Sequence, residues 1–370
     1  MSPSFNRFGF ELFSKLRAAS SQTDSNIFIS PLSVGMVLSM VYNGAANETA
    51  RAFSSVLHFD GKTQDQINRE VLELRQQLKS NDPGLELLIA NSLWYRKEMK
   101  FEESFLAGNR EFFGAEIAPL DFGSPQALSR INGWVSTNTK GKIPKIVDQI
   151  GRDHVMFLIN AVYFKGQWKN RFDPANTKNE DFHLANGTKK QVPMMGRAGS
   201  YVYRLGERFE AVTLPYVGEK VAMTVVLPEK GLQLAELLKQ LDAGKWDDLF
   251  QRSSSNPGTV KLPRFKLTYE SKLNDALKAL GLSVAFDGAK ADFTRMRKVR
   301  DLVISEVKHK TFVEVNEEGT TAAAATSAAI GVTSVARQPF TFVADRPFLV
   351  VLRDVATGAV LFVGSINNPG

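Results

Sequence analysis

Cysteine is absent from the 370 residues. That excludes disulfides, zinc–thiolate centres and a cysteine nucleophile, and it suits both a reducing compartment and export of a disulfide-free protein. No apolar run reaches the roughly 18 residues of a membrane-spanning helix, so no membrane partner is expected. Histidine is scarce: His58, His154, His183 and His309 lie far apart, and none sits in an HExxH helix. No metal site and no cofactor are expected. A GxSxG elbow, a GxxxxGKS/T phosphate loop and a GxGxxG turn are all missing. A Ser-His-Asp triad assembles in space and not in sequence, so spacing alone does not exclude one. The expectation is nevertheless that the chain is not an enzyme. A charged leader with a cleavage site is missing too. In MSPSFNRFGFELFSKL, the residues Phe5, Phe8, Leu12 and Leu16 recur at helical spacing, which predicts an amphipathic first helix. As written, the chain is expected in the cytoplasm, or outside the cell if a leader has been removed.

Apolar material is abundant, at 43% of residues, and 26 phenylalanines against four tryptophans and seven tyrosines predict a large buried core. Length alone suggests two or three domains. No Pro/Gly/Ser linker and no internal repeat divides the chain, however, so one compact body over 1–370 is expected, as a monomer. The balance of 46 Lys+Arg against 39 Asp+Glu leaves +7, too dilute for a nucleic-acid face. The densest basic run, RMRKVR, carries Arg295, Arg297, Lys298 and Arg300. It reads either as a solvated loop or as a polyanion site, since four cations in six residues sum their attraction for sulfate or phosphate. Met194, Met195 and Met296 read as core and loop residues.

Helix and strand signals are mixed without regular alternation, which predicts an α+β fold. Leu273, Ala276, Leu277 and Leu280 follow helical spacing, with Gly281 placed to end the helix. Leu234, Leu237, Leu238 and Leu241 repeat the pattern. Phe265, Leu267 and Tyr269 alternate with polar neighbours, as a half-buried strand should. The apolar runs Val221–Leu227, Phe348–Leu352 and Val360–Ile366 predict buried strands, and Gly358 suits a turn between the last two.

One segment breaks the pattern. From Thr320 to Ala336, seventeen residues carry no charge and no side chain larger than isoleucine. Alanine favours helix in its first half; Thr, Ser, Val and Ile favour extended chain in its second. A buried helix or a low-complexity loop is one reading. The other is a segment with two states, exposed as a loop or packed into a sheet without burying a charge.

NIFISPLSV (Asn26–Val34), YNGAANET, IANSLWYRKEMKFEESF, INGWVSTNTKGKIPKIV, FLINAVYFKGQWKNRFDPANT, LPRFKL, ISEVKHKTFVEVNEEGTTAAAAT and ADRPFLVVLRDVATGAVLFVGSINNP follow one another along nearly the whole chain. In this order and spacing they resemble the serpins, inhibitory members included. The resemblance implies three β-sheets, eight or nine helices and an exposed reactive loop at about 317–340. It implies a suicide-substrate inhibitor of serine proteases, whose cut loop inserts into the largest sheet and traps the acyl-enzyme. The alternative is a non-inhibitory serpin that serves as a carrier, chaperone or storage protein.

The same resemblance assigns roles to single residues. Glu317, Glu318, Gly319 and Thr320, with Ala322, Ala323, Ala324 and Ala325, match the hinge of inhibitory members. Thr321 departs from the commoner glutamate there, at a position expected to face solvent after insertion. Arg264 and Glu317 match a charged pair at the top of the sheet, read as an exposed pair. Ser30, Ser33, Asn160 and His309 match a hydrogen-bonded cluster beneath the sheet centre, and Trp168 a packed aromatic near its top. Counting forward from Glu317 places the reactive bond at Thr333–Ser334; counting back from Pro347 places it at Ala336–Arg337. A small residue before the bond suits an elastase-like or subtilisin-like protease, and Arg337 a trypsin-like one.

Overall fold

The computed structural model describes residues 1–20, 25–79, 84–151, 154–241, 246, 255–319 and 338–370. The proposed reactive bonds, Thr320 and Ala322–Ala325 lie outside them. Eight α-helices occur among the described residues: α1 (Ser2–Ala19), α2 (Pro31–Tyr42), α3 (Asn47–Val56), α4 (Gln64–Leu78), α5 (Glu103–Phe113), α6 (Pro125–Asn138), α7 (Leu234–Gln240) and α8 (Asn274–Leu277). Phe5, Phe8, Leu12 and Leu16 are the buried stripe of α1. Helix α8 is shorter than its apolar pattern suggests. The backbone kinks within the next residues, Lys278–Leu282, where Gly281 leaves the helical conformation at φ +113°, a conformation that favours glycine.

Five strands form one sheet in the order β10 (Phe265–Lys272), β11 (Glu306–Val315), β4 (Met156–Gly166), β2 (Leu85–Arg96) and β3 (Glu116–Leu120). Nine more form the other: β1 (Ile27–Ile29), β5 (Lys178–His183), β6 (Lys189–Gly206), β7 (Phe209–Pro215), β8 (Val221–Pro228), β9 (Ser255–Pro263), β12 (Phe340–Val343), β13 (Phe348–Asp354) and β14 (Val360–Ile366). The 18-residue β6 joins two parts of that sheet, pairing with β5 and β9 up to Val202 and with β7 from Val202 onward. The described strands therefore form two hydrogen-bonded sheets where three were expected, because β6 runs unbroken through both parts of the larger one. The alternation read in β10 and the β13–β14 turn at Gly358 (φ +69°) are both present.

Helix α2 is buried along its whole length. It packs against β2 and β4 of one sheet and β14 of the other, so the main core lies on both sides of it. Met194, Met195 and Met296 are buried in this core. A second, smaller core lies on the opposite face of the five-stranded sheet. There Ile131 and Val135 of α6, with Ile143, Ile146 and Val147 of the following loop, cover Phe157, Ile159, Ala161 and Tyr163 of β4.

Candidate functional site at the open end of the five-stranded sheet

Strands β4 and β11 are parallel neighbours at the centre of a sheet whose next pairs outward, β2–β4 and β10–β11, are antiparallel. Their pairing runs from Glu306 opposite Phe157 to Phe312 opposite Tyr163 and stops there. Both strands continue: Phe164–Gly166 stay bonded to β2, and Val313–Val315 to β10. A further bridge, Gln167 to Gly319, closes the far end. Between these limits the two central strands face each other unpaired. A segment leaving β11 by a tight turn must run back antiparallel to it, hence antiparallel to β4 as well. The gap therefore fits one returning strand on both edges.

That turn is Asn316–Gly319. Asn316 and Gly319 exchange backbone hydrogen bonds of 2.9 and 3.1 Å, and the Asn316 side chain accepts from the Glu318 amide. Gly319 sits at φ +118°, and a Cβ there would lie 2.2 Å from the Gly166 carbonyl oxygen. Only glycine fits. The Trp168 amide donates to the Glu318 carbonyl at 2.9 Å, and its indole Nε1 donates to the Asn316 carbonyl at 2.9 Å. The ring stacks on Tyr216 at 4.5 Å. Trp168, the packed aromatic expected near the sheet top, thus holds the turn against β4.

Arg264 lies at the corner between β9 and β10, its amide bonded to the Pro193 carbonyl. Its Nε donates to both carboxylate oxygens of Glu317, at 2.6 and 2.7 Å, and Thr177 donates to the same carboxylate. The exposed pair read from sequence is corrected here: the Glu317 side chain is 6% exposed, whereas that of Arg264 is 43% exposed. A freely exposed pair contributes roughly 0–1 kcal/mol. A buried carboxylate stripped of its partners carries a desolvation penalty that an exposed one does not. Burial alone would raise the Glu317 carboxyl, but the bonds from Arg264 and Thr177 outweigh it and hold the group below the usual carboxylate range.

Deeper in the same sheet, the register sets Asn91 of β2 opposite Asn160 of β4, and Asn160 opposite His309 of β11. Three polar side chains thus cross the sheet in one row, facing α2. Ser30 caps α2 by accepting from the Ser33 amide at 3.3 Å. The Ser30 amide in turn donates to His309 Nε2 at 3.1 Å. The proton is then on Nδ1, which donates to Asn160 Oδ1 at 2.5 Å. The Asn160 amide donates to Asn91 Oδ1 at 2.5 Å and to the Ser33 hydroxyl. Full burial pushes the His309 pKa down to about 3, so the imidazole is neutral. Parting β4 from β11 must break the Asn160–His309 bond.

Sequence reasoning reached Ser30, Ser33, Asn160 and His309 but missed Asn91 and Thr177. The signal for Asn91 was an amide inside an otherwise apolar strand, IANSLWY. Thr177 carries no such signal, because it meets Glu317 across 140 residues of chain.

The four cations of the basic run turn to separate partners. Arg295 bonds the Gln64 side chain, Arg297 bonds Asp301, Arg300 bonds the Ala291 and Lys290 carbonyls, and Lys298 lies 4.0 Å from Glu102. This supports the solvated-loop reading. Retention on a heparin column should be unchanged in a variant with Arg297, Lys298 and Arg300 replaced by glutamine. Salt-dependent retention lost in that variant would restore the polyanion site.

The chain matches the family model of the serpins, described as serine protease inhibitors, over residues 3–369. It is a serpin. It is 34% identical to the human leukocyte elastase inhibitor, over 100% of this chain and 99% of that protein. Its fold is similar to that of the thermophilic serpin tengpin in the native state, with a TM-score of 0.89 and 31% identity over 99% of this chain and 93% of the other. It is similar as well to human thyroxine-binding globulin, with a TM-score of 0.90 and 26% identity over 100% and 98% of the two chains. Serpins act as protease inhibitors and not as catalysts, and loop insertion is a general property of the family.

Proposed function

We propose that this serpin inhibits a serine protease of small-residue preference, elastase-like or subtilisin-like, by inserting its cut reactive loop between β4 and β11. The observation that carries the reading is the unpaired stretch between those two parallel strands, at the end where Gly319 turns the chain back. The seventeen residues after Gly319 hold no charge, so none need be buried unpaired on entering. An insert of roughly 14 residues would span about 45 Å at strand rise, enough to carry an attached protease past the sheet. Glu317 and Arg264 set the resistance at the top of the opening, and the Asn91–Asn160–His309 row sets it at the centre. Cleavage at Thr333–Ser334 suits the small-residue preference; at Ala336–Arg337 the residue before the bond is again small.

A second reading, carriage of a small ligand, is favoured by the likeness to thyroxine-binding globulin and by a cavity of about 550 Å³ beside Phe13, Arg17 and Leu238. One gel separates the two. The protein is mixed with elastase, subtilisin, chymotrypsin and trypsin in turn and then boiled in detergent. A covalent complex is expected with elastase or subtilisin, and the released carboxy-terminal fragment should begin at Ser334 or Arg337 by mass. Loop cleavage with full protease activity retained in every mixture would end the inhibitory reading.

A further inference from the structure

A cavity of about 210 Å³ lies between β2 and the helices α2, α4 and α5. That is below the roughly 300–1,000 Å³ of pockets for drug-sized ligands. Met36, Leu87, Ile89 and Phe113 form its apolar walls. Three polar side chains line it as well: Lys79, which is exposed, and Arg75 and Asn91, which carry donors without an acceptor among the described residues. Asn91 is 6% exposed. Its Oδ1 accepts from Asn160 and Ser33, while its Nδ2 has no acceptor among the described residues. Arg75 is half-buried and makes a single hydrogen bond, from Nη1 to the Phe112 carbonyl at 2.6 Å. No carboxylate lies within ion-pair reach of it among the described residues, and burial pushes its pKa down with no anion opposing. Its guanidinium is fixed in place over Gly114, where a Cβ would fall 2.1 Å from Nη2.

A half-buried guanidinium without a counter-ion is costly. The Asn91 amide adds a second donor to the lining of the same cavity. A carboxylate between them would satisfy both, and the apolar walls would cover a short hydrocarbon tail. We propose that this cavity binds a small aliphatic carboxylate, its head taken by Arg75 and the Asn91 amide and its tail lying along Leu87, Ile89, Met36 and Phe113.

The position gives such a ligand leverage on the sheet. Strand β2 pairs with β4 over eleven residue pairs, so it must travel with β4 when β4 leaves β11. The cavity has β2 as one wall and α2, α4 and α5 as the others, and a bound ligand resists their sliding. Its head would also hold Asn91 where Asn91 holds Asn160. A ligand of the closed form alone stabilises that form by mass action. This coupling rests on the inhibitory reading above; the binding itself does not.

The probe is octanoate, with 1-octanol as the uncharged control. Titration calorimetry on the intact protein should show one saturable site for octanoate, and the melting temperature should rise with it. Octanol should bind at least tenfold more weakly. Arg75→Gln should weaken octanoate at least tenfold, and Ile89→Trp, which fills the cavity from the strand side, should abolish binding. Octanol binding as tightly as octanoate, or octanoate binding unchanged in both variants, would overturn the site. With an elastase that the protein traps, saturating octanoate should slow complex formation at least twofold. Octanoate that binds yet leaves that rate unaltered would remove the coupling and leave the site standing. A protein that traps no protease but still shows the calorimetric site would fail only the inhibitory reading.

Discussion

On the inhibitory reading, replacing Thr320 by arginine is expected to turn the protein from an inhibitor into a substrate. Thr320 follows the turn glycine directly, so on insertion its side chain is among the first to enter between β4 and β11. The proposed register turns it inward, against the face where α2 lies, and an unpaired guanidinium buried there costs several kcal/mol. A barrier raised by about 3 kcal/mol slows insertion roughly a hundredfold. Deacylation then wins, releasing active protease and a cut serpin, and the number of inhibitor molecules consumed per protease should rise at least about tenfold. Cut wild-type protein should melt well above the uncut form, because it gains a central strand bonded on both sides. A Thr320→Arg protein that traps protease with unchanged stoichiometry would show that passage of this residue into the sheet is not what inhibits.

Acid should weaken the native sheet well before its carboxylates titrate. His309 has its folded pKa pushed down to about 3, against an ordinary value near 6.5. Above about 6.5 neither state binds this proton and the stabilisation is complete. As pH falls from there towards about 3, the unfolded chain takes up the proton and the folded one does not, so stability is lost over that window. Each unit crossed is worth up to about 1.4 kcal/mol. The Glu317 carboxyl, held below its usual range, acts in the same direction but only at lower pH, below about 4.5. Thermal melts between pH 7 and pH 5 lie above the Glu317 window, and Glu210, which burial pushes up, acts in the opposite direction, so the His309 contribution is read from the difference between wild type and variant. The wild type should lose several degrees across that interval, and His309→Gln, which has no proton to take up, should lose far less. Equal slopes for the two proteins would remove His309 as the source.

Much of the scaffold was legible because its signals are local. The alternation in Phe265–Lys272, the apolar run Val221–Leu227 and the positive φ of Gly281 and Gly358 each depend on neighbours a few residues away. The site was legible only through the family resemblance, since its partners are distant. Ser30 meets His309 across 279 positions, and Thr177 meets Glu317 across 140. Burial of Glu317 could not be read from composition, because a Glu-Glu-Gly end to a strand ordinarily reads as a solvated turn. The row Asn91–Asn160–His309 needed the register of three strands, one pair antiparallel and one parallel, and no single strand carries that information.

The parallel pairing of β4 and β11 has one more consequence. An inserted strand would be bonded along both edges, with one ladder to each neighbour in place of a single parallel ladder. Withdrawing it would mean breaking both ladders together, and nothing in the folded chain supplies the work. On the proposed mechanism the molecule has no reset: each copy retires one protease and is spent. The protection a cell obtains is then a matter of inventory, fixed by how many copies have been made and not by how fast any one of them acts.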